Sequence, residues 1–121
     1  NFLKNHSKVN YVSWAGFKEN IYHELAKKYF KDGFGSVFTF SLKSGYEGAM
    51  QLVENCNLIS HLANVGDTRS LIVHPASTTH RQLSNKQKEK SGVGDSIIRL
   101  SIGLESHKDI IADLEGALST I

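Results

Sequence analysis

The sequence predicts an α+β domain, a two-layer sandwich in which helices cover one face of a small, mostly antiparallel sheet. Three observations lead there. Short runs of β-branched and aromatic residues alternate with longer stretches whose apolar residues recur at helical spacing. Ten glycines and a single proline, Pro75, punctuate those segments. At 121 residues, 40% of them hydrophobic and 21% charged, the chain holds enough apolar side chains for one packed core. No composition shift, repeat or low-complexity tract divides it, so residues 1–121 read as one domain.

Asn1–His6 reads as the tail of a helix whose start lies upstream. Val9–Trp14 alternates loosely in β-branched and aromatic residues and reads as a strand. Asn20 is the expected N-cap of a helix running to Tyr29 or Phe30. Ile21, Leu25 and Tyr29 recur there at i, i+4 and i+8 beside Tyr22 and Ala26, and Gly33 supplies the stop. Val37–Leu42 is the clearest strand. Ser44 and Glu47 then have capping-box spacing and open a helix to about Asn55, with Ala49, Met50, Leu52 and Val53 as its apolar stripe. Leu58–Leu62 and Leu71–His74 are short strands separated by the turn residues Asn64, Gly66 and Asp67. The polar run Ser84–Lys90 reads as a surface helix ending at Gly92. Ser96–Ile102 has a period of two: Ile98, Leu100 and Ile102 share one face, and Ile97, Arg99 and Ser101 share the other. A second capping box, Ser106 to Asp109, starts the last helix, with Ile110, Ile111, Leu114, Ala117 and Leu118 as its buried stripe. Helices on the Ile98 side would leave the Arg99 face free to meet something else.

Composition narrows the function classes. Fourteen Lys and Arg against twelve Asp and Glu leave a net charge of +2, which points away from nucleic acid as a partner. No apolar run approaches the ~18–20 residues of a membrane span. Cys56 is the only cysteine, so no internal disulfide forms and a reducing, cytoplasmic setting fits. The opening residues lack the basic start and apolar core of a signal peptide. The sole methionine is Met50, and the chain reads as part of something longer.

Arg99 is the best single candidate for chemistry. An arginine within a β-branched strand is costly to bury unless a carboxylate or phosphate answers it, and its planar fork suits two-pronged capture of a carboxylate. The structural alternative is an internal ion pair or an exposed sheet face. Ser70–His80 is dense in hydroxyls and imidazoles directly after a short apolar strand, where binding groups tend to sit. It contains no nucleophile elbow. His74 and His80 lie six apart, without neighbouring metal ligands, and are read as orienting the loop by hydrogen bonds. Gly33–Ser36 precedes a strand instead of opening a helix, so it is a turn and not a phosphate cradle. Cys56 is read as an inert thiol, and Lys27 and Lys28 as solvated surface. These residues by themselves describe a carboxylate-binding module. No acid–base pair marks an enzyme.

Four segments in order, Phe38–Glu47, Ser60–Asp67, Ser70–His80 and Ile98–Glu105, resemble the C-terminal domain of the cystathionine γ-synthase-type, pyridoxal-phosphate-dependent enzymes of sulfur amino-acid metabolism. The resemblance extends from about Phe2 to Leu118. Within that family, Glu24–Tyr29 and the Thr78-Thr79-His80 form of the loop resemble the O-acetylhomoserine sulfhydrylases most. Such enzymes exchange the acetoxy group of O-acetyl-L-homoserine for sulfide or a small thiol, giving homocysteine and acetate. The resemblance implies the small C-terminal domain of fold-type I pyridoxal-phosphate enzymes, usually homotetrameric. By resemblance Arg99 holds the substrate's α-carboxylate, Ser70 lies close to the cofactor-bearing lysine, and Arg69 and Thr79 lie near the substrate side chain. None of the eleven lysines has the family's Ser-x-Thr-Lys context, so the cofactor is expected on an N-terminal domain outside this chain, and the fragment alone is expected to be inactive. Lys43-Ser44-Gly45 departs from the family's usual Lys-Gly-Gly. Sister activities on the same scaffold, cystathionine γ-synthesis or methionine γ-elimination, share the arginine. A stand-alone, non-catalytic amino-acid-binding module is the reading of another class.

Overall fold

Five extended segments join in one sheet: β1 (Val9–Ser13), β2 (Val37–Leu42), β3 (Ser60–His61), β4 (Leu71–Val73) and β5 (Ile97–Ser101). Their spatial order is β1-β2-β5-β4-β3. The computed structural model describes residues 1–82, 84–91 and 93–121. Between the strands run α1 (Phe2–Asn5), α2 (His23–Tyr29), α3 (Gly45–Asn55), α4 (Asn85–Lys90) and α5 (His107–Ser119). None of these helices is long and apolar enough to cross a membrane. Every neighbouring pair is antiparallel except β3 and β4, which run parallel (Ser60↔Leu71, His61↔Ile72).

The period of two sorts the sheet into faces. Phe40, Ile72, Ile98 and Leu100 are fully buried on one side, where α3 contributes Ala49, Leu52 and Val53 and α5 contributes Ile110, Leu114, Ala117 and Leu118. Each such side chain, taken fully out of water, stabilises the fold by about 1.5–3 kcal/mol, with alanine well below that range. Lys8 ties the two ends of the domain together. Its ammonium donates to the Leu118 carbonyl (2.7 Å), which also takes the Ile121 N–H (3.4 Å), and to the Ile121 backbone oxygen, fastening the end of α5 to the start of β1. Asp113 does the same for the turn before β3, its carboxylate accepting the N–H groups of Asn57 (2.8 Å) and Ile59 (3.0 Å).

Several local expectations give way. The stripe on α2 is not core: Ile21, Leu25 and Tyr29 are 85%, 53% and 68% exposed. The helix instead holds on through His23, whose Nδ1 pairs with the Ala15 carbonyl (2.8 Å) and whose ring stacks on Phe34, and through buried Ala26. Asn20 organises the approach, accepting the Tyr22 N–H at 2.9 Å, while Tyr22 itself is the N-cap. Neither capping box closes. The Ser44 hydroxyl lies over Gly48, close enough that a Cβ there would fall within 1.8 Å of it, and it makes no cap bond. At Ser106 the backbone carbonyl takes the Asp109 N–H (3.0 Å), and the hydroxyl makes no cap bond. Ile111 is 38% exposed and drops out of the α5 stripe. Gly92, expected to end α4, lies outside the described residues. The face opposite α3 and α5 is only partly open, since Leu71, Val73 and Ser41 are buried there.

Candidate functional site

Arg99 sits at the centre of β5, with Thr39 of β2 on one flank and Val73 of β4 on the other. Its neighbours Ile98 and Leu100 point into the helical layer, so strand alternation turns Arg99 to the opposite face, where it is half-buried. The ion pairs among the described residues are Lys4–Glu19, His6–Glu115, Lys27–Glu24 and Arg69–Asp67, and none reaches Arg99. With no ion pair engaging it among the described residues, the guanidinium fork suits an anion from outside the domain.

Ser70 stands where β4 begins, fully buried. Its N–H donates to one Glu105 oxygen (2.7 Å) and its hydroxyl to the other (2.8 Å), while the same hydroxyl accepts the Gly103 N–H (2.9 Å). A further bond runs from the Leu104 N–H to the Thr68 carbonyl (2.9 Å). Residues 68–70 and 103–105 are thereby stitched together. The contact is so close that a Cβ on Gly103 would lie 2.3 Å from the Thr68 carbonyl oxygen and 2.5 Å from the Ser70 nitrogen. The Ser70 N–H and then its hydroxyl hold the Glu105 carboxyl below the usual carboxylate range.

Arg69 is exposed and locked to Asp67, with Nε on Oδ1 (3.1 Å) and Nη2 on Oδ2 (2.9 Å). The Arg69 guanidinium holds Asp67 far below the ordinary carboxylate range, and Asp67 in turn raises Arg69. Thr79 is exposed in the loop beyond the other end of β4, its hydroxyl 2.8 Å from His80 Nδ1. His74 is buried as an organiser of that loop: Nδ1 pairs with Ser77 Oγ (3.0 Å) and Nε2 with the Asp95 carbonyl (2.8 Å), and Tyr46 packs edge-on against the ring. His74 thus orients the loop by hydrogen bonds, whereas the His80 ring pairs with its neighbour Thr79. Among the described residues no three His, Cys, Asp or Glu side chains gather around a metal position. Burial pushes the Cys56 thiol up to about 12, in keeping with an inert cysteine.

Of the four candidates only Arg99 lies within a strand; Arg69 and Ser70 directly precede β4, and Thr79 lies in the loop beyond it. Val73 faces Arg99, and Ser70 lies about 10 Å back along β4. Among the described residues no side-chain hydrogen bond or ion pair joins Arg99 to Ser70, Arg69 or Thr79. An apolar cavity of about 460 Å³ lies on the helical side between α1, β1 and α5 and includes none of them. The Gly33–Ser36 turn does not fit a cofactor phosphate, because it leads into a strand and the Gly35 carbonyl accepts the Trp14 indole N–H (3.1 Å). Sequence reasoning gave Glu105 and Gly103 no role. Only the sheet topology brings them to Ser70, and no local spacing announces it.

The comparisons with known proteins agree with this architecture. Residues 1–119 match the family model described as Cys/Met metabolism PLP-dependent enzyme. An O-acetyl-L-homoserine sulfhydrylase 1 of Thermus thermophilus is 48% identical over 118 residues, 98% of this chain and 28% of that protein. An L-methionine gamma-lyase of Fusobacterium nucleatum subsp. polymorphum is 44% identical over 99% of this chain and 30% of its own length. The crystal structure of an O-acetylhomoserine (thiol)-lyase from Campylobacter jejuni, which carries N'-pyridoxyl-lysine-5'-monophosphate, superimposes with a TM-score of 0.90 at 43% identity. That match covers 98% of this chain and 28% of the crystallised one. The chain thus spans less than a third of the length of these relatives. It belongs to the family of pyridoxal-phosphate-dependent enzymes of cysteine and methionine metabolism.

Proposed function

We propose that this chain is the C-terminal, substrate-binding domain of an O-acetyl-L-homoserine sulfhydrylase, which converts O-acetylhomoserine and sulfide to homocysteine and acetate. The observation that carries the reading is the half-buried Arg99 guanidinium, which faces away from the helical layer with no carboxylate answering it among the described residues. Its fork matches the α-carboxylate of an amino-acid substrate, and two parallel N–H···O bonds would fix that substrate's orientation as well as its position. Arg69 and Thr79 are assigned to the side-chain end of the substrate, and Ser70 to the wall near the cofactor-bearing lysine. Pyridoxal phosphate, held by the N-terminal domain, supplies the electron sink for the carbanion chemistry. This chain's own part is to bind the carboxylate, orient the molecule and close one side of the site to water. In the cell the protein is assigned to the cytoplasm as a homotetramer.

The specific activity is favoured by the 48% identity to a protein named as a sulfhydrylase, whereas the methionine gamma-lyase at 44% keeps elimination as the competing chemistry. The full-length protein is to be assayed with O-acetylhomoserine plus sulfide, plus cysteine, and without a nucleophile. Homocysteine formed from sulfide as the dominant product supports the proposal. Dominant cystathionine, or 2-oxobutyrate released without any nucleophile, replaces it with a sister reaction. The isolated 121 residues, mixed with the cofactor, are expected to give no stoichiometric absorbance band of lysine-bound pyridoxal phosphate; such a band would place cofactor binding here after all.

A further inference from the structure

Among the described residues no hydrogen bond or ion pair holds the Arg99 fork, so its position depends on the backbone beneath it. That backbone is paired with β2 over five residues, from Val37↔Ser101 to Ser41↔Ile97, and is thinly supported only along its other edge. β4 has only three residues and the outer strand β3 only two. The register between β4 and β5 consists of Leu71↔Ser101, Ile72↔Leu100 and Val73↔Arg99. Immediately beyond this ladder stands the Glu105 clasp on Ser70, with its bonds of 2.7 and 2.8 Å, backed by the Gly103 N–H on the Ser70 hydroxyl. The Ser70 carbonyl also receives the Ser60 N–H at 3.0 Å, so the edge strand hangs from the same residue.

We propose that Glu105 is a positioning residue for the substrate carboxylate: its carboxylate locks the start of β4 to the exit of β5 through Ser70 and thereby sets where Arg99 stands. The chemistry of the clasp suits that task. A carboxylate is acceptor-only, and here one oxygen takes a main-chain N–H while the other takes a hydroxyl of the same residue, which fixes both the backbone and the side chain of Ser70. The hydroxyl has spent its one proton on Glu105 and one lone pair on Gly103, and the residue is fully buried. Ser70 therefore acts inward, as the link between Glu105 and the strand. This inference rests on the carboxylate-binding role proposed above for Arg99.

The test is a double-mutant cycle in the full-length holoenzyme with Glu105→Gln, Arg99→Ala and the pair. Glutamine keeps one acceptor and the side chain's shape but cannot accept both Ser70 donors. If Glu105 works through Arg99, Glu105→Gln raises KM for the amino-acid substrate about ten- to a hundredfold, the scale on which a misplaced binding group is felt, and leaves kcat within about twofold. In the Arg99→Ala background the same change costs less than about twofold, because there is no longer a fork to position. Hydrogen exchange in the peptide spanning residues 68–73, measured without substrate, rises in Glu105→Gln. An equal penalty in both backgrounds, a loss confined to kcat, or unchanged KM overturns the inference. If Glu105→Gln does not accumulate as folded enzyme, Glu105→Asp, which keeps both acceptor oxygens but shortens their reach to Ser70, decides by the same criteria. Unchanged kinetics in Arg99→Ala itself would instead refute the carboxylate assignment, so the two failures are told apart.

Discussion

Replacing Arg99 by alanine separates the two roles that an arginine in a strand can have. A structural arginine answers an internal acid, and removing it leaves that acid buried and unpaired at a cost of about 3–5 kcal/mol. No such acid faces Arg99 among the described residues, so truncation loses only the packing of a half-buried stem, about 0.5–1 kcal/mol of stability. A substrate-binding arginine behaves oppositely. Truncating one side of a desolvated charge pair costs about 2–5 kcal/mol of capture. At about 1.4 kcal/mol per factor of ten, kcat/KM for O-acetylhomoserine should fall roughly thirty- to several-thousandfold. Arg99→Lys should recover part of that loss, because a point charge cannot reproduce the two-pronged contact. Cofactor absorbance should be retained in both variants. The assay is steady-state kinetics on the full-length enzyme, with urea unfolding run in parallel. Unaltered kinetics in Arg99→Ala, or a stability loss above about 3 kcal/mol with kinetics explained by unfolding, would refute the reasoning.

Three further outcomes follow from the packing. Gly103→Ala would press a methyl group against main-chain atoms at 2.3–2.5 Å, and backbone cannot rotate away, so urea unfolding should show a loss of about 1–3 kcal/mol from overpacking. Asp113→Ala strips the acceptor from the Asn57 and Ile59 amides and should cost about 1–3 kcal/mol, whereas Asp113→Asn, keeping one acceptor oxygen, should cost less by the same measurement. Burial raises the Cys56 thiol from 9.0 to about 12. Above pH 9 the unfolded chain therefore releases this proton while the folded chain keeps it. The stabilisation due to Cys56 is present below pH 9 and is lost as pH rises toward 12. Iodoacetamide should label the native thiol slowly at pH 8 and rapidly in urea; fast native labelling would contradict the burial.

Strand alternation made part of the site legible. Ile98, Arg99 and Leu100 state in three residues that the guanidinium faces away from the core, and the structure has the same division. Helix stripes were less informative. The spacing of Ile21, Leu25 and Tyr29 marks an apolar side of α2 without saying what covers it, and nothing within these residues does. Capping boxes failed locally: a spacing rule cannot see that Gly48 offers room for the Ser44 hydroxyl, or that the Ser106 carbonyl takes the Asp109 N–H while its hydroxyl makes no cap bond. The Glu105–Ser70 clasp spans 35 residues, and a contact of that range has no periodicity to betray it. The parallel pairing of β3 with β4 is hidden for the same reason, since turn residues between two strands look alike whichever way the second strand runs.

The brevity of β4 has an evolutionary corollary. Ser70 enters it, and Val73 at its far end sits across from Arg99. Side chains change sides at every step along a strand, so one residue gained or lost between these points would swap inward and outward positions and pull the clasp out of step with the fork. Alignments of this stretch should accordingly be free of gaps. Diversification here must proceed by replacement at places such as Arg69 and Thr79, while the spacing from Ser70 to Val73 behaves as a fixed ruler.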